Sequence, residues 1–299
     1  MLTKTKAFGV LFLATLVLMV GCKKEEYSFG TLKSPTDLAF TTQVIGTDAS
    51  NPDGNGSGQV KLVVTATNAL TYKIDFGDGV TKMMAGGEYT YKYNNPGTFD
   101  YTITVNAIGT GGTITTLSKR IRVFVSFEIP ADIVAALTNG SSRVWVTDKD
   151  ALGHFGVGPS DAFSPIWYAA TPNTREACAY DDEITFSKDA NNRIFMNVDN
   201  KGQSFSIGAS TAFYGFSGGD GCYGAGTGGN KQLTFMEATS GSTSAVSTRI
   251  QFMVPGNGII NFGTGGTTYE ILSISNTALH LRNIGSDGNS WYQILKPKP

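Results

Sequence analysis

The stretches KLVVTAT (61–67) and YTITVNA (101–107) alternate apolar and polar residues with a period of two. That period puts successive side chains on opposite faces of an extended strand, so each stretch reads as a half-buried antiparallel strand. Convincing helical periodicity is scarce, and its best case is PADIVAALTNG (130–140), with Pro130 near its start and Gly140 as a stop, a length of about two turns. The 37 glycines, spread among Thr, Ser and Asn, supply the turns that many short strands need. The expectation is an all-β chain.

Strand-like runs fall into two groups. Between residues 35 and 127 lie QVKLVVTATN, TYKIDFG, YTYKYNNPG, TFDYTITVNAIG and LSKRIRVFVSF. From 128 to 299 come RVWVTD, DEITFSKD, RIFMNVDN, QSFSIG, KQLTFMEA, TRIQFMV, TYEILSIS, ALHLRNI and SWYQILKP, with SKDANNRI as a tight hairpin turn. Composition shifts at this boundary, since all three tryptophans (Trp145, Trp167, Trp291) and both histidines (His154, His280) lie beyond it. The second group suffices for a jelly-roll-like β-sandwich.

In the first group, YKIDFGDG (72–79) and YTYKYNNPGTFDYTITVNA (89–107) resemble the PKD-type immunoglobulin-like domain. Ile74 stands where that family has Trp, and Tyr89 to Tyr93 lack its His. The resemblance implies a β-sandwich acting as spacer or interaction module. Asp75 and Asp78 are read as turn residues whose carboxylates bond local backbone, with a cation site as the alternative. NPDGNGSGQ (51–59) is read as a flexible surface loop.

At the N-terminus, MLTKTK precedes the apolar run AFGVLFLATLVLMV (7–20) and then VGC. The run is short for a membrane span, and the ending resembles a lipobox in which Cys22 is diacylated and residues 1–21 are removed. The alternative is an ordinary secretory signal with an incidental cysteine. Residues 22–34 would then be a tether, and KKEE (23–26) resembles the tag that sends Bacteroidetes lipoproteins to the outer face of the outer membrane. With Cys22 lipidated, Cys178 and Cys222 are left as an even pair, which in an exported chain reads as a disulfide.

That bridge would pin two long aromatic loops side by side, 149–181 and 212–231, with IGSDGN (284–289) as a third loop. Flat rings beside carboxylates and an Arg suit sugar recognition, because the apolar face of a pyranose stacks on an aromatic ring while its hydroxyls bond planar charged groups. The candidate glycan contacts are Trp167, Tyr168, His154, Arg175, Asp181, Glu183, Tyr223 and Trp291, against the reading that Trp145 and Trp291 are core. Asp181, Asp182 and Glu183 sit at the start of a strand, Asp182 on the same face as Ile184 and Phe186. Asp181 and Glu183, about 7 Å apart on the other face, could serve a glycoside hydrolase. A structural Ca²⁺ held by one or more of the three acids is a further candidate. Against hydrolysis, the chain has no E-x-D-x-x-E or H-E-x-x-H motif. The near balance of 23 basic and 24 acidic residues argues against a nucleic-acid partner.

Signal, PKD-like module and the run WVTDKDALGHFGVGP…WYAATP…AYDDEITF…WYQILKP together resemble the surface glycan-binding lipoproteins of Bacteroidetes polysaccharide-utilisation systems. The resemblance implies a non-catalytic protein, lipid-anchored on the outer membrane, that captures a polysaccharide or oligosaccharide for a transporter complex. A β-1,3-glucan of laminarin type is the implied ligand. A structural or adhesive surface protein is the remaining alternative.

Overall fold

The computed structural model describes residues 30 and 32–299. The signal segment 1–21, Cys22 and the KKEE tag lie outside the described residues. By contact density the chain forms two compact units. One comprises Val64–Gly87 and Ile103–Lys119 with the segment through Phe40; the other comprises Thr41–Val63, Glu88–Thr102 and Arg120–Pro299.

The fold is all-β, as expected. Within 36–125, β1 (Thr36–Val44), β2 (Gln59–Thr67) and β5 (Gly87–Lys92) form one sheet. A second runs in the order β4 (Thr81–Met84), β3 (Thr71–Asp75), β6 (Gly97–Ile108), β7 (Ile114–Val125). The period-two pattern is realised residue by residue: Val60, Leu62 and Val64 are buried along β2, and Tyr101, Ile103, Val105 and Ala107 along β6. Asp75 and Asp78 do turn chemistry. Asp75 Oδ1 accepts from Gly77 N at 2.8 Å and Asp78 Oδ1 from Val80 N at 3.1 Å, while Gly77 and Gly79 take positive φ. The loop 51–59 is more tightly held than its composition suggests. Its carbonyls of Asp53, Gly56 and Gly58 accept from the backbone N–H groups of Phe124, Ser126 and Tyr93. Gly58 sits against the Tyr93 carbonyl, where a Cβ would come within 2.2 Å.

Beyond residue 130, α1 (Ala131–Thr138) starts after Pro130 and stops at Asn139, which is left-handed, followed by Gly140 with positive φ. The strands that follow are β8 (Ser142–Thr147), β9 (Phe155–Gly158), β10 (Tyr168–Ala169), β11 (Glu183–Lys188), β12 (Ile194–Asp199), β13 (Ser204–Ser206) and β14 (Gly221–Tyr223). After them come β15 (Lys231–Gln232), β16 (Thr234–Glu237), β17 (Ile250–Met253), β18 (Phe262–Gly263), β19 (Thr268–Ile274), β20 (Leu279–Ile284) and β21 (Ser290–Pro297). Among the described residues, eleven of these share one ladder. Its main path is β15-β12-β11-β8-β21-β20-β19-β17-β16, with β9 pairing both β21 and β10. A separate small sheet has the order β14-β13-β18.

The long ladder folds over on itself. Phe186 on β11 and Phe252 on β17 are five ladder steps apart, which in a flat sheet is roughly 24 Å. Their ring centroids are 6.1 Å apart. The two arms therefore face each other across one apolar core, in which Trp145, Ile184, Phe186, Met196, Phe252, Tyr269 and Leu281 are among the buried residues. Instead of two separate sheets, the sandwich is one continuous ladder bent around its core. Trp145, fully buried, donates its indole N–H to the Leu137 carbonyl at 3.0 Å, so its polar atom is satisfied. The hairpin at SKDANNRI is formed as expected, with Asp189 Oδ1 accepting from the N–H groups of Asn191 and Arg193.

Candidate functional site

β21 changes neighbours along its length. Ser290–Gln293 pair with β9, and Leu295–Pro297 pair with β8. Where the ladder splits, the small sheet packs a second apolar cluster containing Phe155, Phe205 and Phe262. Phe155 and Phe262 have centroids 4.1 Å apart, and Trp291 meets Phe262 edge-on at 5.9 Å. The Cys178–Cys222 bond, with Cα atoms 6.0 Å apart, ties the 149–181 loop to the strand β14 beside this cluster.

A pocket of about 370 Å³ opens over these rings. It is lined by Phe155, Val157, Tyr168, Arg175, Phe205, Asp220, Phe262 and Trp291 among others, within the roughly 300–1,000 Å³ usual for small-ligand sites. Arg175 places its guanidinium carbon 4.4 Å from the centroid of Phe205 and 5.9 Å from that of Phe155, a stacked cation with its apolar side covered. Its nitrogens are 3.5 Å from Glu176 Oε2 and 3.9 Å from Asp220 Oδ2, too loose to saturate them. Asp220 is anchored through its other oxygen, which accepts from Gly208 N at 2.8 Å. The Trp291 indole N–H points at the Asp287 carboxylate, 3.2 Å to Oδ1. Gly285 permits that approach, since a Cβ there would be 2.8 Å from Trp291 Cδ1. The result is an apolar, aromatic floor with one cation and one carboxylate at its rim, able to stack a ring and bond hydroxyls around it.

Of the eight residues nominated from sequence, the pocket gathers three: Tyr168, Arg175 and Trp291. Trp291 packs edge-to-face with Phe262 in the apolar cluster and also lines the pocket. Trp167 is 60% exposed and precedes Tyr168 in the chain, so strand alternation turns it away from the face Tyr168 presents. Tyr223 lies on β14 with its hydroxyl donating to the Gly219 carbonyl at 2.7 Å and its ring 5.2 Å from Phe216. His154 is fully buried. Nδ1 is 2.7 Å from the Ala151 carbonyl and Nε2 is 2.9 Å from the Tyr180 hydroxyl, so it braces the loop and offers no free atom to a ligand.

The acidic trio does not act as a unit. Asp181 is exposed. Glu183 Oε1 is held by Lys298 at 2.8 Å and Lys201 at 3.2 Å, and these ammonium groups keep its carboxyl below the usual range. Asp182 is buried, receives one bond from Ser204 Oγ at 3.3 Å and has no partner for Oδ1. Desolvation pushes its carboxyl up to about 8. Among the described residues, no group of three or more His, Cys, Asp or Glu side chains is placed to hold a metal ion.

Sequence reading missed Phe155, Phe205, Phe262 and Asp220. Phe155 and Phe262 sit in strands of four and two residues whose alternation is too short to assign, Phe205 lies in the strand-like run QSFSIG with nothing to mark it as part of a site, and Asp220 looks like any other turn residue in SGGDG. It also missed a polar cleft of about 510 Å³ over β17, β19 and β20, where Gln251, Glu270 and Arg282 are cross-strand neighbours. There Arg282 is spent on Glu270 and on the Ser160 and Ala162 carbonyls, and Glu270 on Ser242 and Ser247. These charges clamp two loops onto the sheet and leave little for a ligand.

No protein-family model matches the chain, and no curated protein does. Among solved structures, the PKD1 domain of the Vibrio cholerae metalloprotease PrtV is 23% identical, covering 31% of this chain and all of that one, with a TM-score of 0.24. A carbohydrate-binding module of the β-sandwich superfamily is 12% identical over 89% of this chain and 91% of that one, TM-score 0.26. A Ca²⁺-stabilised, ice-binding adhesin from an Antarctic bacterium is 14% identical over 89% of this chain and 74% of that one, TM-score 0.20. At such TM-scores these likenesses carry no argument about function.

Proposed function

We propose that the chain is a non-catalytic glycan-capture protein whose binding site is the aromatic pocket over Phe155, Phe205 and Phe262. The observation that carries this reading is the pairing, in one pocket of about 370 Å³, of ring faces (Tyr168, Trp291) with a stacked guanidinium (Arg175) and a carboxylate (Asp220). In the fuller reading, residues 1–21 are a signal, Cys22 carries a lipid, residues 35–127 are a PKD-like spacer and residues 128–299 are the binding domain. The protein would sit on the outer face of the outer membrane and hold a polysaccharide for a neighbouring transporter, with a β-1,3-glucan of laminarin type as the first ligand to try. Weak single-site affinity suffices, because many tethered copies on one surface raise avidity.

A hydrolytic role for Asp181 and Glu183 is less well supported. A general acid needs its pKa raised, whereas Glu183 is held ionised by two lysines. Native gels cast with β-1,3-glucan, β-mannan, xylan or starch test the reading, with the same mixtures assayed for reducing sugar. Capture requires retardation by a glycan, loss of that retardation in Arg175→Ala and Trp291→Ala, and no released sugar. Sugar release would favour a hydrolase, and no retardation by any polymer would favour an adhesive or structural protein.

A further inference from the structure

Arg175 is positioned by a chain of hydrogen bonds whose direction is fixed at its far end. Nδ1 of His154 faces the Ala151 carbonyl, which can only accept, so Nδ1 carries the proton. In the neutral ring Nε2 is then an acceptor, and the Tyr180 hydroxyl, 2.9 Å away, donates to it. The Tyr180 oxygen in turn accepts from the Arg175 backbone N–H at 2.8 Å. The same Arg175 lays its guanidinium on Phe205 at the pocket. Tyr180 itself lies two residues from Cys178, inside the segment that the disulfide holds.

We propose that Tyr180 and His154 are positioning residues for Arg175, and that protonation of His154 disorders this chain of bonds and weakens ligand binding in acid. The inference rests on the pocket being the glycan site. A protonated ring would present N–H at both nitrogens. The Tyr180 oxygen would then receive two donors, from Nε2 and from Arg175, and its own proton would lose its acceptor. Burial without a counter-charge in contact makes that state costly, and desolvation is the leading reason that His154 binds its proton less readily than a free imidazole. The charged groups around it are Asp148 and Asp150, which favour the proton, and Arg175, which opposes it. Lys296 ion-pairs with Asp148 at 2.9 Å and Asp150 at 3.0 Å and so offsets both acids.

The full chain has two histidines, so two imidazole resonances report the titration, and a His154→Gln sample assigns them. Three measurements are made on wild type and Tyr180→Phe: the His154 midpoint and tautomer by NMR, the Arg175 amide shift without ligand, and β-1,3-glucan affinity at pH values on either side of the midpoint. In wild type, Nδ1 should carry the proton, the midpoint should lie below that of free imidazole, and the Arg175 amide should shift with that midpoint. Affinity should fall about five- to tenfold on crossing it, the equivalent of one good hydrogen bond. Tyr180→Phe should bind about fivefold more weakly at neutral pH and show no further loss in acid. An Arg175 amide indifferent to the His154 titration, an Nε2–H tautomer, or a Tyr180→Phe variant that keeps the wild-type pH profile would each overturn the inference. If no glycan binds at any pH, the capture reading fails, and the ligand-free amide shift still decides whether His154 and Tyr180 position Arg175.

Discussion

Replacing Asp182 by Asn should stabilise the protein at neutral pH. The carboxyl is buried, has one weak donor and no partner for Oδ1, and titrates at about 8 in the fold. In the unfolded chain it titrates near 3.9. Between those values the native state holds a proton that the unfolded state releases, so stability declines as pH rises from about 4 to about 8 and is then flat. At pH 7 the interval is about three units, which corresponds to about 4 kcal/mol lost relative to acid. Asparagine has the same shape, never ionises and can still accept from Ser204 Oγ, so it should recover most of that loss. Its amide N–H₂ inherits the site left unpaired by Oδ1, and a net gain of about 2–4 kcal/mol at pH 7 follows. Urea unfolding of both proteins from pH 4.5 to 8.5 measures the difference directly, and the contribution of His154, common to both, cancels. The gap should be small at pH 4.5 and widen steadily to pH 8. A variant less stable than wild type at pH 7, with a gap independent of pH, would mean that Asp182 is ionised and paired in the native protein, and the burial argument would fall.

Three further outcomes are expected. Breaking the Cys178–Cys222 bond, which spans 44 residues, should cost about 4 kcal/mol by loop-closure entropy and free Asp220 from Arg175; melts of the double Cys→Ser variant and its gel retardation report the two effects separately. Trp145→Ala should cost about 3–5 kcal/mol in denaturant unfolding, whereas Trp167→Ala, at an exposed ring, should stay within about 0.5 kcal/mol. Glu270→Ala strands the buried Arg282 and should lose about 3–5 kcal/mol, while replacing both partners together by apolar residues should recover much of that in the same assay.

What was legible in the sequence follows from what leaves a periodic trace. Strands with one face on a core, such as Gln59–Thr67, Gly97–Ile108 and Ile194–Asp199, alternate visibly because every second residue is buried. Thr36–Val44 buries only Phe40 and Thr81–Met84 buries nothing, so neither shows a period, although both pair into sheets. Phe155–Gly158 and Phe262–Gly263 are too short for any window, and together with Ser204–Ser206, which lies in the legible run QSFSIG, they carry the floor of the pocket. The parity of Asp182 with Ile184 and Phe186 put it on the core face from sequence alone. Its raised pKa did not follow, because that depends on which donors the fold places around it.

The same logic explains why the candidate site was only half visible. Covalent chemistry is readable one residue at a time, and once Cys22 of the three cysteines is assigned to the lipobox, Cys178 and Cys222 announce which loops meet. They do not say which faces of those loops turn inward. Tyr168 and Trp167 are equally aromatic and adjacent, yet β10 pairing with β9 gives one to the pocket and the other to solvent. His154 looked like a ligand contact because an imidazole in an aromatic loop often is one. In the fold both of its nitrogens face groups of the same chain, and its effect on a ligand must pass through Tyr180 to Arg175. A residue of that kind reaches function only through the hydrogen-bond partners that tertiary structure assigns to it, and sequence spacing holds no record of them.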